Sequence, residues 1–220
     1  MNVDSPALQS DATTRLRVLR AAGEVFAEKG FAKATVRDIC ARAGANVAAV
    51  NYHFRDKSQL YSEALRWLAE MSLAKYPPNM GVEPSDDPRL QLRAFIRSFL
   101  LRILDPDRVA DFGRLMTREM VEPSSALDEL ASRTIRPLSE LLRNILRAIL
   151  GPHATEAQLR RAACSVVGQI VFYNHCRPAI ERIFPGHVQN SAADIDALAE
   201  HIAVFSIAGL DALRECEVRA

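Results

Sequence analysis

The chain has 220 residues, 49% of them apolar and 25% charged, with a formal net charge of +1. This suits one or two globular domains with a sizeable core. No apolar run approaches the roughly 20 residues needed to cross a bilayer. The opening MNVDSPALQSDATT lacks the basic-then-apolar order of a secretory signal. Residues 1–12 read as a disordered leader, and the location as cytoplasmic by default.

The rest reads as helices in chain order, about nine of them, with no period-2 run that suggests a sheet. The first covers about Thr13 to Lys29, with Leu16, Leu19, Ala22, Val25 and Phe26 at helical spacing, and Gly30 closing it as a left-handed cap. Thr35 is a good N-cap for a short helix to about Arg42. Gly44 supplies a turn, and a second short helix covers about Val47 to Phe54. Asp56 then caps a helix to about Lys75, with Gln59 at the capping-box position. YPPNMGVEPSDDP, from Tyr76 to Pro88, is a linker or long loop. Helices follow over Arg89–Leu104, Pro106–Val121 and Ser124–Leu150, the last kinked or split by Pro137. Thr155 and Gln158 form a capping box opening a helix to about Phe184, bent near Pro178. The last helix runs from about Ala192 to Arg214.

The stretch TVRDICARAGANVAAVNYHFRDK, Thr35 to Lys57, has the layout of a helix-turn-helix that lays its second helix in the major groove. Residues 13–57 then form a three-helix DNA-binding domain, and 58–220 a larger helical regulatory and dimerisation domain. Charge agrees in sign: from Ala12 to Lys57 there are nine basic residues against four acids, while the remainder is slightly acidic. Small or polar residues suit a base-facing helix. Val47, Ala48 and Ala49 allow close approach, Asn51 can hydrogen-bond a base edge or phosphate, and Arg37 is long enough to reach a guanine. Thr35, with Val36 beside it at the helix start, can offer its hydroxyl and N–H to a phosphate. Tyr52 and Lys57 fit phosphate contacts. His53 fits either a phosphate contact or a buried, hydrogen-bonded residue, and Val50 and Phe54 fit packing.

These residues resemble the DNA-binding domain of TetR-family transcriptional regulators. The resemblance spans residues 15–57, through F-A-E-K-G (Phe26 to Gly30), T-V-R-D-I (Thr35 to Ile39) and Y-H-F-x-x-K (Tyr52 to Lys57). One departure is visible: Asn51 stands where many members carry Tyr. The C-terminal part more weakly resembles the CecR-like subgroup, through L-M-T-R-E-M with Pro123, I-R-P-L-S-E-L-L (Ile135 to Leu142) and V-V-G-Q-I-V-F-Y-N-H-C-R-P (Val166 to Pro178). The resemblance implies an all-α, ligand-responsive repressor, often tied to drug-efflux or transport genes, that binds a double-stranded operator as a two-fold dimer.

The last two long helices are the natural dimer surface on one face and fill the core of the protomer on another. They carry Ala162, Ala163, Val166, Val167, Ile170 and Val171, then Leu198, Ile202, Phe205, Ile207 and Leu210. A small-molecule effector needs an apolar pocket with a few polar anchors. The candidates are Phe95, Phe99, Phe112, Met116, Met120 and Phe172, with Arg118, Glu119, Gln169, Tyr173 and His175 as anchors. Glu119 is the sharpest, since a carboxylate in so apolar a helix is costly to bury unpaired; pairing with Arg118, Arg114 or a neighbouring helix is the alternative. No cofactor or metal is expected. The four cysteines form no C-x-x-C pair and read as buried small hydrophobes, with a redox or metal sensor as the alternative. None of the five histidines follows a Glu by three residues, and no nucleophile-elbow, zincin or P-loop pattern occurs, which argues against an enzyme. A helical interaction module without DNA binding is the remaining alternative.

Overall fold

The computed structural model describes residues 6–104, 110–186 and 191–218, with side chains at 13–104, 111–186 and 191–215. All regular structure among these residues is helical. The segments are α1 (Pro6–Lys33), α2 (Val36–Ala43), α3 (Val47–His53), α4 (Lys57–Lys75), α5 (Pro88–Leu104) and α6 (Ala110–Val121). They continue with α7 (Ser125–Leu130), a π turn (Ala131–Ile135), α8 (Arg136–Leu150), α9 (Glu156–His175), α10 (Arg177–Ile183) and α11 (Ala192–Val218). No described helix is long and apolar enough to cross a membrane.

The helix starts follow the capping chemistry. Thr35 accepts the Asp38 N–H, and Asp38 accepts the Thr35 N–H in return. Thr155 and Gln158 do the same at α9. Asp56 caps α4 by accepting the Gln59 N–H, but the Gln59 side chain reaches back to Arg55 N–H, one residue beyond a capping box. Two prolines account for eleven α segments where nine were expected. Pro137 has no N–H and its ring crowds the preceding turn. The chain accommodates it by widening into a π turn, and Pro137 then lies in the first turn of α8. Pro178 likewise lies in the first turn of α10, and the expected bend is a break at Cys176.

Other expectations shift. α1 begins at Pro6, so residues 6–12, read as part of a leader, are helical backbone, while 1–5 lie outside the described residues. Gly30 has φ 75° and ψ 165°, which is not the left-handed helical cap, and the chain makes one more turn to Lys33. The start expected at Pro106 falls among residues outside the described set. Of the cysteines, Cys40 is buried and burial pushes its thiol up, but Cys164 is exposed, so the small-hydrophobe reading fails there. Cys176 is half-buried at the α9–α10 break, and the side chain of Cys216 lies outside the described residues.

Two apolar cores organise the molecule. The first joins Leu19, Val25 and Phe26 of α1, Ile39 of α2, Val50 and Phe54, and Leu60 and Leu65 of α4. It also takes in Phe112 and Leu115 of α6 and Ala126 and Leu130 of α7. Packing therefore runs across the boundary expected at 57/58. The second core is built by α5, α8, α9 and α11, around Leu92, Leu100, Leu146, Leu159 and Ile202. Arg89, Arg93 and Arg97, one turn apart on α5, pair with Asp211, Glu200 and Asp196 of α11 at 2.5, 3.1 and 2.7 Å. The order of these pairs makes α5 and α11 antiparallel. Exposed pairs of this kind contribute about 0–1 kcal/mol each, so they fix register more than stability.

Candidate nucleic-acid interface and effector region

α3 is only seven residues long, too short to hold its shape alone. Three features fix it. Asn46 caps it by accepting the Ala49 N–H at 2.7 Å. Gly44, at φ 59° and ψ 38°, turns the chain out of α2. Val50 and Phe54 bury themselves in the first core, and burying such a side chain contributes about 1.5–3 kcal/mol. Asn46 escaped the sequence reading, although an Asn just ahead of a short apolar stretch is itself an N-cap signal.

The opposite side of α3 faces solvent. Ala48 and Asn51 are exposed, Ala49 is half-buried, Val47 is 43% exposed and Tyr52 78% exposed. A tyrosine held that far out of the fold is not a core residue. His53 is half-buried between the rings of Tyr52 and Phe54, at 5.2 and 6.0 Å. Arg37 is exposed in the first turn of α2. Its neighbours are committed elsewhere: Arg42 to Glu28 at 2.6 and 2.9 Å, and Lys29 to Asp38 at 2.9 Å.

Three expected contacts sit differently. The Thr35 N–H and hydroxyl both donate to Asp38, at 3.1 and 2.8 Å, so they serve the cap before they can serve a phosphate. Val36 packs against the first core. Lys57 lies with its Nζ 4.6 Å from the Phe31 ring centre and donates to the Ala32 carbonyl at 3.4 Å. It ties the start of α4 to the end of α1. The Lys29 ammonium first, and then Thr35, hold the Asp38 carboxyl down at about 2. The anion inside this cationic surface is therefore matched within the fold.

The residues expected to line an effector pocket do not converge. Phe95 is buried and Phe99 half-buried at the second core, their rings 6.3 Å apart. Phe112 and Met116 belong to the first core, and Met120 is 48% exposed. Gln169, Phe172 and Tyr173 line a groove of about 340 Å³ with Gly168, His201 and Ile202, on the outer side of α9 and α11. Gln169 donates to Ser206 at 3.1 Å, and His175 Nδ1 lies 3.0 Å from Val171 O in its own helix. Among the residues expected at a dimer surface, Ala162, Val166, Ile170, Ile202, Ile207 and Leu210 are buried in the second core, whereas Phe205 is 66% exposed.

Glu119 is buried, but as a structural tie. It accepts the Tyr61 hydroxyl of α4 at 2.6 Å, the Ser124 N–H at 3.1 Å and the Ser124 hydroxyl at 3.0 Å. Neither Arg118 nor Arg114 neutralises it. Burial, then the Glu119 carboxylate, raises the Tyr61 phenol well above its usual value. Arg118 instead reaches over α1 and donates to the carbonyls of Ala27 and Glu28 at 3.5 and 3.3 Å, a cation closing a helix C-terminus. Its guanidinium occupies the space a Cβ at Gly30 would need, 2.7 Å away. Two consecutive residues of α6 thus grip the two helices that frame the helix-turn-helix.

The first 64 residues contain a match to the model of bacterial regulatory proteins of the tetR family, over residues 18–64. Residues 88–210, more than half of the chain, match the C-terminal domain of the HTH-type transcriptional dual regulator CecR. The chain belongs to the TetR family, in its CecR-like subgroup. It is 27% identical over 170 residues to the transcriptional dual regulator CecR of Shigella flexneri, covering 71% of this chain and 74% of that one. It is 35% identical over 85 residues to the regulator BetI of Stenotrophomonas maltophilia, covering 37% and 41%. A Rhodococcus transcriptional regulator of known structure shares the fold, with TM-score 0.65 and 23% identity over 90% of this chain and 97% of that one. The Bacillus subtilis regulator FadR, solved with stearoyl-CoA, aligns with TM-score 0.68 and 14% identity over 88% and 98%. This TetR-family chain is a DNA-binding transcriptional regulator.

Proposed function

We propose that the protein is a cytoplasmic, ligand-responsive repressor that binds a palindromic operator as a two-fold dimer, controls efflux or transport genes, and is released by a small molecule. Base reading falls to Arg37, Ala48, Ala49 and Asn51. Tyr52 and the end of α3 meet phosphates, with Lys57 able to join them only by leaving Phe31. The observation that carries the switch is the paired grip of α6: Arg118 on the end of α1, and Glu119 on Tyr61 of α4. An effector that moves α6 cannot leave the helix-turn-helix where it was.

α6 is also pressed onto α5. A Cβ at Gly113 would stand 2.7 Å from the Ile103 carbonyl oxygen, so the two backbones cross in contact. A shift at α5 therefore passes through α6 to both framing helices. Half-sites lie about 34–36 Å apart, so a displacement of a few ångströms mismatches a dimer to its operator, and coupling of about 1–3 kcal/mol is typical.

Dimerisation is supported by the outer side of α9 and α11, where Gly168, Phe172, Val204, Phe205 and Gly209 are exposed without a charge among them. Two copies joined there form a four-helix contact. The name of the Shigella relative, a dual regulator, favours a second reading in which the bound protein both represses and activates. The test is a titration of duplex DNA from upstream of the protein's own gene, with and without candidate effectors, alongside transcription in vitro. Weaker binding with an effector and higher transcription without the protein support repression with release. Unchanged binding across effectors contradicts release by ligand.

A further inference from the structure

The second core contains a cation that meets no acid among the described residues. Arg102, near the end of α5, is 3% exposed. Its Nε donates to the Ser98 carbonyl one turn back at 3.3 Å, and its guanidinium carbon lies 5.0 Å from the centre of the Phe99 ring. Its Nη2 has no hydrogen-bond partner. Burial pushes the guanidinium down to about 10.

Glu119, the other buried charge among the described residues, gives the contrast. It is met by Tyr61 and by two donors of Ser124. Ser98, fully buried beside Arg102, spends its hydroxyl on the Tyr76 carbonyl and offers the cation nothing more. A guanidinium taken out of water and left without an anion is among the costliest groups a fold can hold. A planar fork of donors is matched by two oxygens of one acid, and the Phe99 ring beside it, itself edge-on to Phe95, is matched by an apolar body.

We infer that Arg102 is the anion anchor of the effector site, and that the effector is an amphiphilic anion: a carboxylate, sulfonate or phosphate head on an aliphatic or aromatic body. This rests on the ligand-responsive reading and deepens it. Its position suits the switch, since Arg102 adjoins Ile103, whose carbonyl touches α6 at Gly113. The head group draws in the Arg102 fork, the α5–α6 crossing shifts, and the grip on α1 and α4 follows.

The test uses the full-length protein, with octanoate, 1-naphthoate, naphthalene-1-sulfonate and octyl phosphate, each set against a neutral amide or alcohol of the same body. Isothermal titration and thermal stabilisation report binding, and operator titration is run separately. At least one anion is expected to bind about ten- to a hundredfold tighter than its neutral counterpart, the range of one charge-assisted contact. Arg102→Gln brings the anion down to the affinity of its neutral counterpart on the same variant, and Arg102→Lys restores part of the difference. The inference is overturned if no anion outperforms its neutral partner on the unaltered protein, or if the preference survives in Arg102→Gln. An anion that binds through Arg102 without changing operator affinity upholds the anchor and refutes the ligand-responsive reading. An anionic effector that releases operator equally from Arg102→Gln does the reverse.

Discussion

Glu119 illustrates how one residue's meaning depends on what the fold brings to it. From sequence it was a candidate ligand anchor, because an unpaired carboxylate on an apolar helix is costly. The cost was read correctly, but its partner Tyr61 stands 58 positions away, and no local pattern reveals a pair that distant. Glu119→Ala leaves the Tyr61 hydroxyl buried and unbonded, which costs roughly 1–3 kcal/mol. Tyr61→Phe costs less, because Ser124 still donates twice to Glu119. The two changes together should cost less than their sum, as read by chemical denaturation of the four proteins. Asp38 offers a check by pH. Its folded carboxyl titrates at about 2 against an ordinary 3.8. A depressed acid contributes its stability in full above the ordinary value and loses it as pH falls through the folded one. The α2 cap should therefore hold at pH 4 and weaken between about 4 and 2, and an NMR titration of the Asp38 carboxyl should give a midpoint near 2. A midpoint near 3.8 means that Lys29 and Thr35 do not hold it in solution.

Elements were legible where local chemistry sets them. Thr35, Asp56 and Thr155 mark helix starts in the sequence and cap them in the fold. The prolines were legible as disruptions, but their form was not: Pro137 is absorbed by a π turn and Pro178 by a break. Which choice the chain makes depends on what each turn packs against. The α5–α6 crossing was invisible, because Gly113 in an apolar helix carries no local signal. A methyl there would stand 2.7 Å from the Ile103 carbonyl oxygen, a backbone atom and not a flexible side chain. Gly113→Ala should destabilise the protein by about 1–3 kcal/mol in thermal unfolding, the usual cost of overpacking. An alanine variant as stable as the parent denies that the helices press on each other.

At the scale of the whole molecule, the sequence separated a reading unit from a regulatory one, and the apolar packing joins them again. α4, α6 and α7 share the first core with the helix-turn-helix, and α6 also presses on α5 at Gly113. The pocket residues were the least legible part, since an aromatic at helical spacing looks the same whether it fills a core or lines a cavity; Phe95 and Phe112 prove to lie in different cores. The central claim, a dimeric reader of specific DNA, is tested most directly by fluorescence anisotropy of the full-length protein. The duplexes are the upstream DNA and a scrambled control, across a range of salt. Two chains should bind per specific duplex, with affinity falling steeply as salt rises because neutralised phosphates release counterions. Arg37→Ala should lose roughly 1–3 kcal/mol on the specific duplex alone. Equal affinity for both duplexes, or binding indifferent to salt and to Arg37, contradicts the account.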